Sequence, residues 1–270
     1  MISFDELKLL FSTSVIGNAL IVGVLLSVAA ALLGVTLVLK KYSMIGDGLS
    51  HVTFGAMAIA VATNQAPLLF SLPIVMLAAF LLLRLSESSK VKGDAAIAVV
   101  STASLAIGAI AARGTNTDIE SFMFGSLVSI TKTDAIVTVI VTVMVLVLYT
   151  VFYHRIFAVT FDETYAKASG GKPSVYNAMI AIMTAVVVVL GMRLVGSLLI
   201  SALLIFPALT AMRLFKSFRS VVISSGVIAL TAFLIALCVS VLFDTSTSAC
   251  IVLVDLLLFT LASVFARIKA

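Results

Sequence analysis

The six residues Gly46-Asp47-Gly48-Leu49-Ser50-His51 set a carboxylate and an imidazole four positions apart, at the start of a long apolar run. On a helix, positions i and i+4 share a face. Carboxylate oxygens and neutral imidazole nitrogens are both ligands for divalent transition metals. Ionisable groups are costly within a membrane and mark sites or pathways when they occur there. The pair therefore reads in two ways. In one, Asp47 is an N-terminal charge favoured by its helix dipole and His51 is a polar residue turned into the bundle. In the other, both face a central pathway and bind a cation. One copy supplies only two ligands. Two copies around a two-fold axis supply two carboxylates and two imidazoles, a set that suits tetrahedral zinc and extends to manganese or ferrous iron if the carboxylates bind through both oxygens. Asp47 follows Lys40-Lys41 closely, which places it near one edge of a span rather than at mid-depth.

Other polar residues stand in apolar surroundings. Asp255 lies in Val252-Leu253-Val254-Asp255-Leu256-Leu257-Leu258. A mid-membrane Asp costs about 2.5–3.5 kcal/mol on the insertion scale, so it reads as a second pathway residue, a proton site or a structural hydrogen bonder. Pro207, in Leu203-Leu204-Ile205-Phe206-Pro207-Ala208, predicts a kinked helix and freed carbonyls, compatible with gating. Arg193 reads as a snorkelling residue at a membrane edge, and Asp94 as a helix N-cap. Cys238 and Cys250 read as small buried hydrophobes.

The elements that carry these residues follow from composition. The chain of 270 residues is 62% hydrophobic and 11% charged, with a formal net charge of +5 and a mean hydropathy of +1.29. A soluble domain is about 45–50% apolar and about 25% charged. This chain is read as an all-α, polytopic transmembrane bundle forming one domain over residues 1–270. The long apolar runs lack the alternation of a β-barrel. The basic excess points to no nucleic-acid partner; the expected surroundings are membrane lipid. Met1–Glu6 is acidic and has no positive n-region, so insertion by the first span itself is expected.

Apolar segments fall near residues 14–39, 45–64, 66–86, 94–112, 134–153, 175–192, 194–212, 221–243 and 247–266. These predict eight or nine spans of about 20 residues each. With nine spans and the N-terminus outside, 13 of the 17 basic residues fall on the inner side, which favours that orientation and a cytosolic C-terminus. Residues 113–133 form a long outer connection whose apolar middle, Phe122–Val128, is too short to span. Residues 154–174 form the longest cytosolic loop, with a short helix expected over Phe161–Ala168 and closed by Gly170, Gly171 and Pro173.

No nucleotide-binding signature supplies energy. Ser169-Gly170-Gly171-Lys172-Pro173-Ser174 is the nearest string to a P-loop, but Ala166 and Pro173 stand where the motif needs Gly and Ser/Thr. Power must come from a partner protein or an ion gradient. A membrane-embedded metalloprotease would want a His-Glu-x-x-His helix, and the two histidines are 103 positions apart.

Taken in order, Gly34–Val52 with its Lys40-Lys41 pair and Gly-Asp-x-Leu-Ser-His, Gly93-Asp94-Ala95-Ala96-Ile97, Phe124-Gly125-Ser126-Leu127, Phe161–Ala166 and Val195–Ala211 resemble the membrane permease subunit of the zinc/manganese-type metal-uptake ABC transporters. The resemblance covers roughly residues 15–266. It implies an importer permease, itself not an enzyme, in the cell membrane. It implies a homodimeric or paired permease, two cytosolic ATP-binding cassette subunits and an extracytoplasmic metal-binding protein. It implies that Asp47 and His51 belong to the path of a transported zinc or manganese ion, with no permanently bound cofactor. It implies that Phe161, Asp162, Glu163, Thr164, Tyr165 and Ala166 dock on the ATPase. The sequence departs from the pattern at Gly93, where an acidic residue is common, and in Phe243–Ala249, which lacks the usual Pro and Gly after Asp244. An ion-gradient-driven metal carrier, with Asp255 as its proton site, is the alternative.

Overall fold

The computed structural model describes residues 14–87, 93–113, 125, 132–197, 200–243 and 245–269. The outer segment Phe122–Val128 and the Asp244 turn lie outside these, apart from Gly125 and the residues after Asp244. Among the described residues the chain is helical throughout, without strands. In hydrocarbon every backbone N–H and C=O must be satisfied internally, and helices do this within each segment.

The helices are α1 (Ser14–Leu39), α2 (Ser43–Ala62), α3 (Pro67–Glu87), α4 (Gly93–Ala112), α5 (Lys132–Val151), α6 (Tyr153–Phe161), α7 (Glu163–Ala168), α8 (Pro173–Val195), α9 (Ile200–Leu214), α10 (Phe218–Phe243) and α11 (Thr247–Lys269). Eight of them are long and apolar enough to cross a membrane: α1–α5, α8, α10 and α11. The segment expected to span over 194–212 holds a shorter apolar helix. Helix α8 runs on through Val195, Gly196 breaks it at φ 86°, and α9 has 15 residues, about 22 Å at 1.5 Å per residue against a hydrocarbon core of about 30 Å.

Three helices form the centre. α1 packs on α5, α8, α9 and α10; α2 lies among α3, α4, α8 and α9; α8 packs on α3 as well. α11 closes the bundle against α9 and α10. Without water to drive helices together, close approach of small residues supplies the packing. A Cβ on Gly34 of α1 would overlap the Leu204 carbonyl oxygen of α9, and one on Gly55 of α2 would lie 2.7 Å from the Ser104 carbonyl oxygen of α4. Neither neighbour is a flexible side-chain end, so the backbones meet only because these positions are glycine.

Helix ends are closed in a repeated way. Lys41 adopts φ 61°, with Lys41 N–H donating to Val38 and Tyr42 N–H to Leu37. Asn64 and Gly170 sit in the same left-handed conformation after α2 and α7, with the same paired bonds. This is the Schellman closure, which satisfies the last carbonyls and turns the chain.

Two ion pairs bind opposite ends of the bundle. Lys40, at the end of α1, bonds Glu163 of α7 at 2.6 Å. Arg193, at the end of α8, bonds Asp134 in the first turn of α5 at 2.7 Å. Arg193 therefore does not snorkel free, as its place in the sequence suggested. Asp94 lies in the first turn of α4 rather than at its cap. Cys250 is buried, but Cys238 is exposed.

Candidate functional site

Asp47 and His51 both lie in the first half of α2. Gly46 faces Leu204 of α9 and Gly48 faces Ile97 of α4, at distances where an added Cβ would force the side chain to move. The glycines on either side of Asp47 thus seat α2 between α9 and α4. Ser50 and Thr53 turn their hydroxyls back onto the Asp47 and Leu49 carbonyls of their own helix, so they do not compete for the carboxylate.

The i,i+4 spacing brings the two side chains together. His51 Nε2 lies 3.7 Å from Asp47 Oδ2. That is too long for a hydrogen bond. Two ligand atoms each about 2.0–2.2 Å from one tetrahedral ion sit about 3.4 Å apart, so the separation is close to the bite of a shared metal. The Asp47 side chain is 37% exposed and that of His51 13%. Asp47 Oδ1 accepts a hydrogen bond from Ser201 Oγ of α9 at 3.2 Å. His51 Nδ1 is buried and has no hydrogen-bond partner among the described residues. Among the described residues no group of three or more His, Cys, Asp or Glu side chains comes together, so one copy presents two such ligands.

Pro207 lies on α9, which also carries Ser201, and Asp255 lies on α11, which packs against α9. Pro207 is buried within α9, which remains helical on both sides of it. Asp255 is buried in α11, 1% exposed. Among the described residues neither of its oxygens has a hydrogen-bond partner. The α9–α11 contact is marked by the Phe206 and Phe259 rings, 6.1 Å apart, and by Arg213 over Phe259.

Residues 154–174 are more ordered than a loop. The helix expected over Phe161–Ala168 is α7, which starts at Glu163, and Asp162 separates it from α6 before it. Asp162 is the N-cap of α7: its Oδ1 accepts from Tyr165 N–H at 2.9 Å, in extended backbone conformation, the geometry that satisfies a free first-turn donor. Glu163 Oε1 accepts from Lys40 Nζ and from Asn177 Nδ2 of α8 at 3.0 Å. Partial burial alone would raise the Glu163 carboxyl. The bonds from Lys40 and Asn177 and the Lys40 charge outweigh it, holding the group below its ordinary value. Ala166 is buried, whereas Phe161, Thr164 and Tyr165 face outward. Rings on α6 continue the contact to α10, with Phe157 5.1 Å and Phe161 5.7 Å from Phe218.

The whole chain has known counterparts. Residues 12–266 match the ABC 3 transport family. This chain belongs to that family. It is a multi-pass permease of the plasma membrane. The chain is 26% identical to a chain of PsaBC from Streptococcus pneumoniae, solved in complex with a Fab, with a TM-score of 0.87 and 98% of each chain covered. It is 27% identical to the manganese transport system membrane protein MntC of Halalkalibacterium halodurans, over 97% of this chain and 90% of that one. It is also 27% identical to the high-affinity zinc uptake system membrane protein ZnuB of Haemophilus influenzae, over 92% and 96%.

Ser201, Lys40 and Asn177 are the site residues that sequence reasoning missed. Ser201 stood inside the quoted Val195–Ala211 stretch as a lone hydroxyl in an apolar helix. Lys40 was read for orientation, for the depth of Asp47 and as half of a basic pair, not as a partner of Glu163. Nothing in the sequence singled out Asn177.

Proposed function

We propose that this permease imports a divalent transition metal, zinc or manganese, and that Asp47 and His51 hold the ion in transit. The observation that carries this reading is the pair itself: Nε2 and Oδ2 at a metal's bite, with Ser201 orienting the carboxylate. The manganese and zinc relatives support the choice of cargo. An extracytoplasmic binding protein delivers the ion to a pore between two permease copies. Each copy contributes one Asp47 and one His51. Four ligands hold the ion without a closed cage, so it can leave. Two cytosolic ATPase subunits dock on residues 154–174, where Phe161, Thr164 and Tyr165 present the contact surface and Asp162, Glu163 and Ala166 hold it in place. Movement there reaches α1 through Lys40 and α10 through Phe218. Pro207 and Asp255 belong to the moving part of the pathway, since they lie on the helices that carry and back Ser201. The N-terminal end of α1 then faces outside and the α6–α7 end the cytosol.

The test is uptake of radiolabelled zinc and manganese into vesicles holding the assembled transporter. Asp47→Ala and His51→Ala are each expected to abolish uptake while binding-protein-stimulated ATP hydrolysis persists in part. Wild-type uptake by both variants would overturn the assignment. Uptake driven by a pH gradient in vesicles holding the chain alone would favour an ion-coupled carrier instead.

A further inference from the structure

A large recess lies away from the Asp47–His51 pair, between α1, α5 and α10. It is an open groove of about 750 Å³. Its walls are apolar: Val28 and Leu32 from α1, and Val222, Ile223, Val227 and Leu230 among those from α10. Gly226 lets α10 approach Leu32 and Val28, where an added Cβ would lie 3.3 and 3.8 Å away. The hydroxyls on the α5 side are already used. Tyr149 bonds Thr36 across the bundle, and Thr150 bonds the carbonyls of Leu146 and Val147 in its own helix.

Among the described residues the groove carries its charge at one end. Arg219, Tyr153 and His154 meet there, on the side that carries the α6–α7 segment. The Tyr153 and His154 rings stand edge to face at 5.5 Å. Burial raises the Tyr153 phenol and the Arg219 charge pulls it back down, so the guanidinium acts at this mouth. Among the described residues no carboxylate lines the groove. Arg219 and His154 are exposed, as are their chain neighbours Arg155 and Lys216. Ser217 already caps α10 through Ser220 N–H, so anion binding would rest on side chains rather than on the helix end.

The dimensions and the charge together select an occupant. From Arg219 to Leu230 is eleven residues of helix, about 16 Å. One leaflet of hydrocarbon is half of about 30 Å, roughly 15 Å. The groove therefore descends one leaflet, apolar at depth and cationic at the headgroup level, where basic residues attract anionic lipid. Arg offers a planar fork of donors matched to phosphate.

We propose that this groove seats an acyl chain of one anionic phospholipid per permease, with its phosphate on Arg219 and His154. The lipid would then sit against α6, the helix that leads to the ATPase-docking segment.

The test is native mass spectrometry of the purified permease–ATPase complex, titrated with dioleoyl-phosphatidylglycerol or dioleoyl-phosphatidylcholine. The wild type is expected to retain one phosphatidylglycerol per permease in preference to phosphatidylcholine. Arg219→Gln should lower that occupancy about tenfold, and Arg219→Lys should keep most of it. Val227→Trp, at an exposed position, should fill the groove and remove the bound lipid. Equal phosphatidylglycerol occupancy in the wild type, Arg219→Gln and Val227→Trp would overturn the proposal. So would inorganic phosphate competing at the lipid's own concentration, since the acyl chain would then contribute nothing. A disulfide between two copies through Val227→Cys would overturn it as well, because the groove would then be a protein interface. If Val227→Trp fails to assemble, the Gln and Lys variants at Arg219 decide the matter.

Discussion

Lys40 carries its ammonium into the protein: its side chain is 5% exposed, and it bonds both Glu163 and the Val159 carbonyl near the end of α6. Removing one partner of a buried charge costs more than the pair contributes. Glu163→Gln keeps the shape but not the charge. Because the Glu163 side chain is 48% exposed, solvent screens much of the attraction, and the expected loss is about 1 kcal/mol. It should appear as a lower melting temperature of the purified complex and weaker ATPase docking. The acid dependence has a definite sign. The Glu163 carboxyl titrates below its ordinary value of 4.5 in the folded chain, so its contribution is present above that pH and is lost as the pH falls through the folded value. The wild-type advantage over Glu163→Gln should therefore shrink below about pH 4.5. An advantage that stays constant down to pH 3 would exclude the ion pair as its source. Ser201 makes a different kind of contribution, since it touches the carboxylate rather than the cargo. Ser201→Ala should weaken the apparent affinity for transported metal roughly tenfold, read as half-saturating metal in vesicle uptake, with the maximal ATPase rate unchanged. The contrast explains what could be read in advance. Asp47 and His51 are neighbours because a helix makes them so, and four-residue spacing is visible in a string. Ser201 meets Asp47 across 154 positions and Lys40 meets Glu163 across 123, and no local pattern encodes either meeting.

Helix packing in this bundle depends on backbone approach, and Gly34 is where the dependence is sharpest. A methyl group there would overlap the Leu204 carbonyl oxygen, so α1 and α9 would have to separate. Since Leu204 is also the residue that Gly46 faces, the displacement would reach the helix turn that bears Asp47. Gly34→Ala is expected to cost about 1–3 kcal/mol, the usual range for overpacking, and to lower metal uptake as well as thermal stability in detergent. Gly17, with open space where its Cβ would lie, is the control: Gly17→Ala should leave both unchanged. Equal stability of the two variants would show that α1 and α9 can part without consequence. Most helices were legible because a membrane span is a length of apolar sequence. The exception was 194–212, where the sequence stays apolar across a break that is purely conformational. Gly196 leaves the helical region at φ 86°, and hydropathy carries no trace of a dihedral angle. The division at Asp162 escaped for a related reason: a capping Asp and a helical Asp look alike in a string, and the Tyr165 N–H it accepts distinguishes them.

At the scale of the whole molecule, α8 is a strut tied at both ends. Asn177 near its start bonds Glu163 of the docking segment. Arg193 near its end bonds Asp134 of α5. The sixteen-residue step from one to the other spans about 24 Å, and the helix between is among the most buried of the spans. A displacement of α7 thus has a rigid path to the far end of the bundle, provided α8 cannot slide against α5. The Asp134 and Arg193 side chains are 24% and 29% exposed, so the pair is better shielded than a surface ion pair and should hold the two helices in register. Arg193→Ala is accordingly expected to lower metal uptake several-fold in vesicles while ATP hydrolysis by the assembled complex continues, because energy would still be consumed without reaching the far end. Exchanging the partners, Asp134→Arg with Arg193→Asp, restores the attraction with reversed polarity and should recover at least half of the lost uptake. A structural role confined to one residue predicts something else: the exchange would then be worse than either single variant. Full coupling in Arg193→Ala would mean that α8 holds its place through apolar packing alone, and that the tie at Asn177 ends where it begins.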